Sequence, residues 1–153
     1  MVTLKRLLST SESPAPILIR LILAFVFLAA GTQKFLFPDE YGVGRFQEMG
    51  MQYPELISLI VGTFELGCGL LILLGLLTRV DAIPLIVIMV VAITTTKVPV
   101  LLEDGFWEAV HAVRLDYAML LGSIFLLVVG AGAWSLDAIL SRKYRGSQVH
   151  TAR

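Results

Sequence analysis

Glu65 is the residue in this sequence best placed to do chemistry. It stands inside an otherwise apolar run, 56–77. An ionised carboxylate at mid-membrane costs about 3 kcal/mol on insertion scales, so it must be paired, protonated or in contact with water. In each case it is a group that can take up or give up a proton. Lys34 and Asp116 stand a short way inside two neighbouring apolar runs. His111 and Arg114 lie at the mouth of the last run, and Lys97 at the end of the third. Lys34 is expected either to pair with Asp116 or to lean toward Glu65. A few polar groups converging on an apolar cleft suit a small polar head-group. Glu65, Lys34, Asp116 and His111 are therefore the candidate binding residues, with Glu65 as proton donor or acceptor.

The polar residues share a spacing. Arg20, Ala24, Phe27, Gly31 and Lys34 follow one another at intervals of four and three. So do Ser58, Gly62, Glu65 and Gly69, and so do Asp116, Leu120, Ser123, Leu127, Gly130, Trp134 and Asp137. That spacing draws one seam down each helix of a left-handed bundle. Small residues on a seam let helices approach closely, and polar residues on it then face partner helices, not acyl chains. Arg20 stands near a span end and is expected to snorkel to lipid head-groups. Arg79, Asp81 and Asp137 read as boundary residues that cap helices and form surface pairs.

Several chemistries have no residues to carry them. The only histidines are His111 and His150, so a bis-histidine haem inside the bundle has no ligands. There is no Cys/His cluster for a metal, no Walker loop and no dinucleotide fingerprint. The lone Cys68 forms no internal dithiol and reads as a small apolar packing residue. The formal net charge is zero, which gives nucleic acid no electrostatic footprint. Any redox group must come from a diffusible quinone or a protein partner.

The elements that position these residues are membrane spans. The 153-residue chain is 57% hydrophobic and 16% charged, against roughly 25% charged in soluble domains. Its mean hydropathy is +0.84. Lipid is the solvent such a chain needs. A spanning helix takes about 20 apolar residues, and four windows qualify, at about 17–37, 56–77, 82–98 and 115–134. The expected fold is an all-α, integral-membrane four-helix bundle forming a single domain. The short turn at 77–81 makes the second and third helices antiparallel neighbours. Pro84 is expected in the first turn of the third, where a missing N–H costs little.

Basic residues set the direction. With the N-terminus inside, Lys5, Arg6, Arg20, Arg79, Arg142, Lys143, Arg145 and Arg153 lie on the cytoplasmic side of a cell membrane. Only Lys34, Arg45, Lys97 and Arg114 lie outside. Both termini are then cytoplasmic. The first outer loop, 38–54, is expected to carry a short interfacial helix over 44–51. The second, 99–110, offers Phe106 and Trp107 to the head-group level. The tail 142–153 is basic and polar, expected to be unstructured and to touch anionic lipid.

Three segments, in order, resemble one family. They are Arg20-Leu21 with Phe27-Leu28-Ala29-Ala30-Gly31-Thr32-Gln33-Lys34-Phe35; Phe64-Glu65-Leu66-Gly67-Cys68-Gly69-Leu70 running on to Leu74-Gly75-Leu76-Leu77-Thr78-Arg79; and Gly130-Ala131-Gly132-Ala133-Trp134-Ser135-Leu136-Asp137. They resemble the first, second and fourth helices of the DoxX family, over residues 17–140. The resemblance implies a membrane subunit working with a quinone-linked oxidoreductase. The family is similar to the small subunit of a thiosulfate:quinone oxidoreductase, and other members are linked to membrane complexes that handle thiol oxidative stress. Its polar positions fall here on Arg20, Lys34, Glu65 and Arg79. Members often carry a histidine near the outer end of the third helix, where this chain has Lys97.

Three functions compete at this level. The first is a quinone-linked oxidoreductase subunit within a protein complex. The second is a non-enzymatic scaffold that brings a soluble partner to the membrane. The third is a small proton-coupled transporter built around Glu65, which four short helices could form only as a homo-oligomer. The first requires a cavity beside Glu65: a carboxylate bathed in acyl tails, or locked in a pair with no space beside it, would remove the site.

Overall fold

A computed structural model describes residues 11–150, with side chains from residue 11 to residue 143. Lys5, Arg6 and Arg153 lie outside the described residues, as does the side chain of Arg145. Eight α-helices and one π turn are found among the described residues: α1 Pro16–Leu36, α2 Pro38–Tyr41, α3 Val43–Glu48, α4 Pro54–Leu74, α5 Thr78–Ala92, the π turn Ile93–Lys97, α6 Val98–Glu103, α7 Phe106–Val129 and α8 Leu136–His150. Four helical stretches are long and apolar enough to cross a membrane: α1, α4, the continuous run Thr78–Glu103, and α7. The expected four-helix bundle is the fold.

Helix α1 packs chiefly on α4, and α5 on α7. Apolar burial drives association only weakly in lipid, so close van der Waals fit must hold such pairs. The α1–α4 contact is built on glycine. A Cβ on Gly31 would lie 2.8 Å from Leu66 Cγ and 3.0 Å from the Gly62 carbonyl oxygen. A Cβ on Gly62 would lie 2.9 Å from the Phe35 ring. The seams read from the sequence are the buried faces of these two helices. Arg20, Ala24, Phe27 and Gly31 are buried on α1, as are Ser58, Gly62, Glu65 and Gly69 on α4. The core joins Leu23, Phe27, Cys68, Ile72, Leu85, Met89, Met119 and Leu126.

The later elements depart from expectation, each for a local reason. The third span is longer than 82–98, because the α5 helix already begins at Thr78. Pro84 therefore sits in the helix interior and not in the first turn. The fourth span runs Phe106–Val129, earlier than 115–134. Only Asp104 and Gly105 separate α6 from α7, and Gly105, at φ +93°, makes the reversal. At the other end Gly130 and Gly132 both take positive φ and break the helix. The fourth seam holds in part: Ser123, Gly130 and Asp137 are buried and Leu120 and Leu127 pack against the core, but Met119 and Leu126 are more deeply buried than those two leucines and Trp134 is 69% exposed. The tail, expected to be unstructured from 142, continues α8 to His150. Ser135 Oγ accepts the Ala138 N–H at 3.1 Å and caps the start of that helix.

Candidate functional site

One end of the bundle gathers the start of α1, the end of α4, the start of α5, the end of α7 and the start of α8. Here Arg20 is 3% exposed and buried in protein. Its Nε donates to Ile72 O at 2.8 Å and its Nη2 to Leu73 O at 2.6 Å. Its Nη1 donates to Ala131 O at 3.2 Å and Trp134 O at 2.6 Å. The snorkelling expectation is thereby corrected: the guanidinium fork satisfies carbonyls that a helix end leaves orphaned in lipid. Gly75, at φ +67°, closes α4 and leaves room for that fork, since a Cβ there would lie 2.6 Å from Arg20 Cζ.

Asp137 works on the next helix. Its Oδ1 accepts the Leu77 N–H at 2.8 Å and its Oδ2 the Thr78 N–H at 3.2 Å. These bonds cap α5 and explain its early start. Arg79 donates to Leu127 O at 3.1 Å, near the end of α7. Capping, as expected, is what Arg79 and Asp137 do, but Asp137 and Asp81 are buried and form no surface pair. Burial pushes the Asp137 carboxyl above its ordinary range, against the pull of the two backbone N–H groups and Arg20. This end of the bundle is an architectural lock.

The other half holds the candidate site. Lys34, in the last turn of α1, places Nζ 2.7 Å from Glu65 Oε2 on α4. Of the two partners weighed for Lys34, the structure selects Glu65. Asp116 on α7 pairs instead with Lys97 on the π turn, at 3.5 Å. Both pairs lie on the wall of one cavity of about 770 Å³. The rest of that wall is mostly apolar, including Val26, Phe27, Ile60, Phe64, Ile88 and Met119. Arg45, Phe46 and Met49 from the α3 region close one side, so the short helix Val43–Glu48, within the loop where one was expected over 44–51, covers part of the cavity. Ile60 and Phe64 on α4 and Val87 and Val91 on α5 line the cavity and remain exposed, which marks an opening between these helices toward lipid.

Of the candidate binding residues, Lys34, Glu65 and Asp116 meet at this cavity. His111 does not: it is exposed, with Nδ1 3.3 Å from Arg114 Nη1 on its own helix. Gly31, Gly62 and Gly69 serve the helix contact that brings Lys34 to Glu65. Sequence reasoning missed Lys97 as a wall residue. The signal for it was the run Thr94-Thr95-Thr96, three hydroxyls able to bond backwards to the helix. Each does so: Thr94 to Val90 O, Thr95 to Val91 O and Thr96 to Ala92 O, at 2.9, 2.7 and 2.6 Å. They satisfy carbonyls around the widened turn that carries Lys97.

Fold and site together define a small polytopic membrane protein with two ion pairs in the wall of a largely apolar, lipid-side cavity. The chain belongs to the DoxX family, whose model matches residues 15–98. It is 47% identical over 144 residues to "Uncharacterized membrane protein Rv3486" of Mycobacterium tuberculosis (strain ATCC 25618 / H37Rv), covering 90% of this chain and 88% of that one. It is 28% identical over 135 residues to "Inner membrane protein YqjF" of Escherichia coli (strain K12), covering 87% and 97%. It is 27% identical over 133 residues to "Putative oxidoreductase CatD" of Bacillus subtilis (strain 168), covering 87% and 92%. No solved structure matches the chain at comparable stringency.

Proposed function

We propose that this chain is a membrane subunit of a quinone-linked oxidoreductase system, in the cell membrane with both termini cytoplasmic, and that it holds a quinone head-group beside Glu65. The observation that carries the reading is the Lys34–Glu65 pair, tight at 2.7 Å, in the wall of a cavity with room beside it. Ligand cavities run to roughly 300–1,000 Å³, mostly apolar with a few convergent polar groups. This one fits that description and opens toward lipid, the side from which a tailed quinone arrives. The oxidoreductase name of the Bacillus subtilis relative points the same way.

A quinone supplies two-electron, two-proton redox chemistry when bound; the electrons would pass to or from a protein partner. The chain's own residues bind and move protons. An ammonium has three N–H donors. Lys34 spends one on Glu65 and keeps the others for a carbonyl oxygen of the ring. Glu65 orients the ammonium and exchanges a proton at its carboxyl oxygens. Phe27, Ile60 and Phe64 keep bulk water from the pair.

The test is gentle purification followed by mass spectrometry of bound lipids. Wild-type protein is expected to carry stoichiometric quinone. The double variant Lys34→Met/Glu65→Leu, still helical by circular dichroism, is expected to lose it. Undiminished quinone in that variant, or none in wild type, overturns the reading. Capture of one stoichiometric soluble protein without quinone would favour the scaffold.

A further inference from the structure

We infer that the cavity grips its ligand at two charged poles, Lys34–Glu65 and Lys97–Asp116, and so selects a ring with hydrogen-bond acceptors at both ends, a 1,4-diketone. The inference rests on the quinone-class reading of the cavity and adds a second anchor, Lys97.

The two pairs come from four separate elements. Lys34 lies on α1, Glu65 on α4, Lys97 on the π turn and Asp116 on α7, yet all four side chains line one cavity. The poles differ in how fully they are committed. Lys34 and Glu65 are hydrogen bonded, and the Glu65 side chain is 4% exposed. The Lys97 ammonium lies 3.5 Å from Asp116, against 2.7 Å at the first pole, and both side chains keep a fifth to a quarter of their surface accessible. Asp116 therefore holds the second ammonium near the wall while its N–H donors stay available.

The backbone places Lys97 there at a cost. A π turn carries one residue more than an α turn, and such turns are rare and frequent at functional sites. The widened turn takes up the extra residue, so Lys97 keeps nearly the face that a regular turn one residue shorter would give it. The adjoining hydroxyls of Thr95 and Thr96 also line the cavity, but their hydrogens go to Val91 O and Ala92 O. Lys97 is then the donor at that pole. A ligand with one acceptor engages one pole and leaves the spare N–H donors of the other ammonium, still paired to its carboxylate, without an acceptor. A ring with oxygens at both ends engages both. Geometry at the second pole, not the tail, thus sets the preference for head-group.

The experiment uses the full-length chain in lipid nanodiscs and isothermal titration calorimetry with two probes: a 1,4-benzoquinone carrying a decyl chain, and 4-decylcyclohexanone, which has one carbonyl. Wild type is expected to prefer the quinone. Lys97→Met is expected to weaken quinone binding about tenfold, the loss of one good polar contact, and to leave the cyclohexanone unchanged. Lys97→Arg should keep the preference. Equal losses for both probes, or no loss, in a Lys97→Met protein of wild-type helicity overturn the two-pole inference alone. A wild type that binds neither probe overturns the quinone reading as well.

Discussion

Lys34 and Glu65 stand 31 positions apart in the chain and 2.7 Å apart in space. Neither residue would reach the other without the glycines beside them. Gly31 and Gly62 let α1 and α4 approach until backbone nearly meets backbone, and the pair forms at the end of that contact.

Breaking this pair from one side is expected to cost more than removing it. Glu65→Gln leaves a buried ammonium without its counter-ion, a loss of about 3 kcal/mol or more. Lys34→Met/Glu65→Leu leaves no orphaned charge and should cost clearly less. Unfolding free energies in micelles or bicelles measure both; a double variant less stable than Glu65→Gln would refute the expectation.

The helix contact has a built-in control. Gly31→Ala drives a methyl into Leu66 and the Gly62 carbonyl and should destabilise by about 1–3 kcal/mol, the range for overpacking. Gly67→Ala lies on the same α4 helix, where a Cβ meets nothing within 4 Å. It should be neutral or slightly stabilising, since alanine favours helix over glycine by about 1 kcal/mol. Similar thermal midpoints for the two variants would count against the close-approach account.

Arg20→Met is expected to lose more than about 3 kcal/mol, because charged hydrogen bonds carry roughly 1.5–3 kcal/mol each and four carbonyls lose their donor. Arg20→Lys should recover less than half. A compact ammonium cannot span carbonyls on two segments as the planar fork does. Full recovery by lysine would mean that charge alone matters here.

Asp137 gives the fold a pH dependence with a defined sign. Its carboxyl is raised in the folded state by burial, so the folded protein holds a proton over a pH range where the unfolded chain has released it. That contribution is complete below the ordinary carboxylate range and is lost as pH rises through the raised value. Wild type should therefore lose stability as pH rises from the acid side, and Asp137→Asn should flatten this part of the profile. Thermal midpoints from pH 4 to 8 decide; an unchanged slope in the variant would remove Asp137 as its source.

Deleting Thr95 is expected to convert the π turn to regular helix. Hydrogen exchange on residues 93–97 should slow. Exchange that stays as fast as in wild type would show that deleting Thr95 does not remove the widened turn.

Much of this was legible in the residues because lipid imposes simple rules. Four apolar runs of sufficient length gave four spans, and three-four spacing found the buried faces of α1 and α4 through Arg20, Gly31, Gly62 and Glu65. What escaped was tertiary. Arg20 near a span end looks the same in sequence whether it snorkels or caps, because its four acceptors are backbone carbonyls with no residue signature. The start of α5 depended on Asp137, 60 positions away from Leu77. The fourth seam was extended through Gly130, where positive φ ends the helix and discards the register. The π turn shifts the register of the third span by one residue, which no apolar period reveals.

The Arg20 cluster also bears on biogenesis. Its first two acceptors, Ile72 and Leu73, are translated 52 and 53 positions after it, while Ala131 and Trp134 follow only after 111 and 114. A chain arrested after its third crossing would expose a guanidinium with half its acceptors missing to hydrocarbon. Completion of the last crossing is thus registered at the first, and a half-made product differs energetically from a finished one.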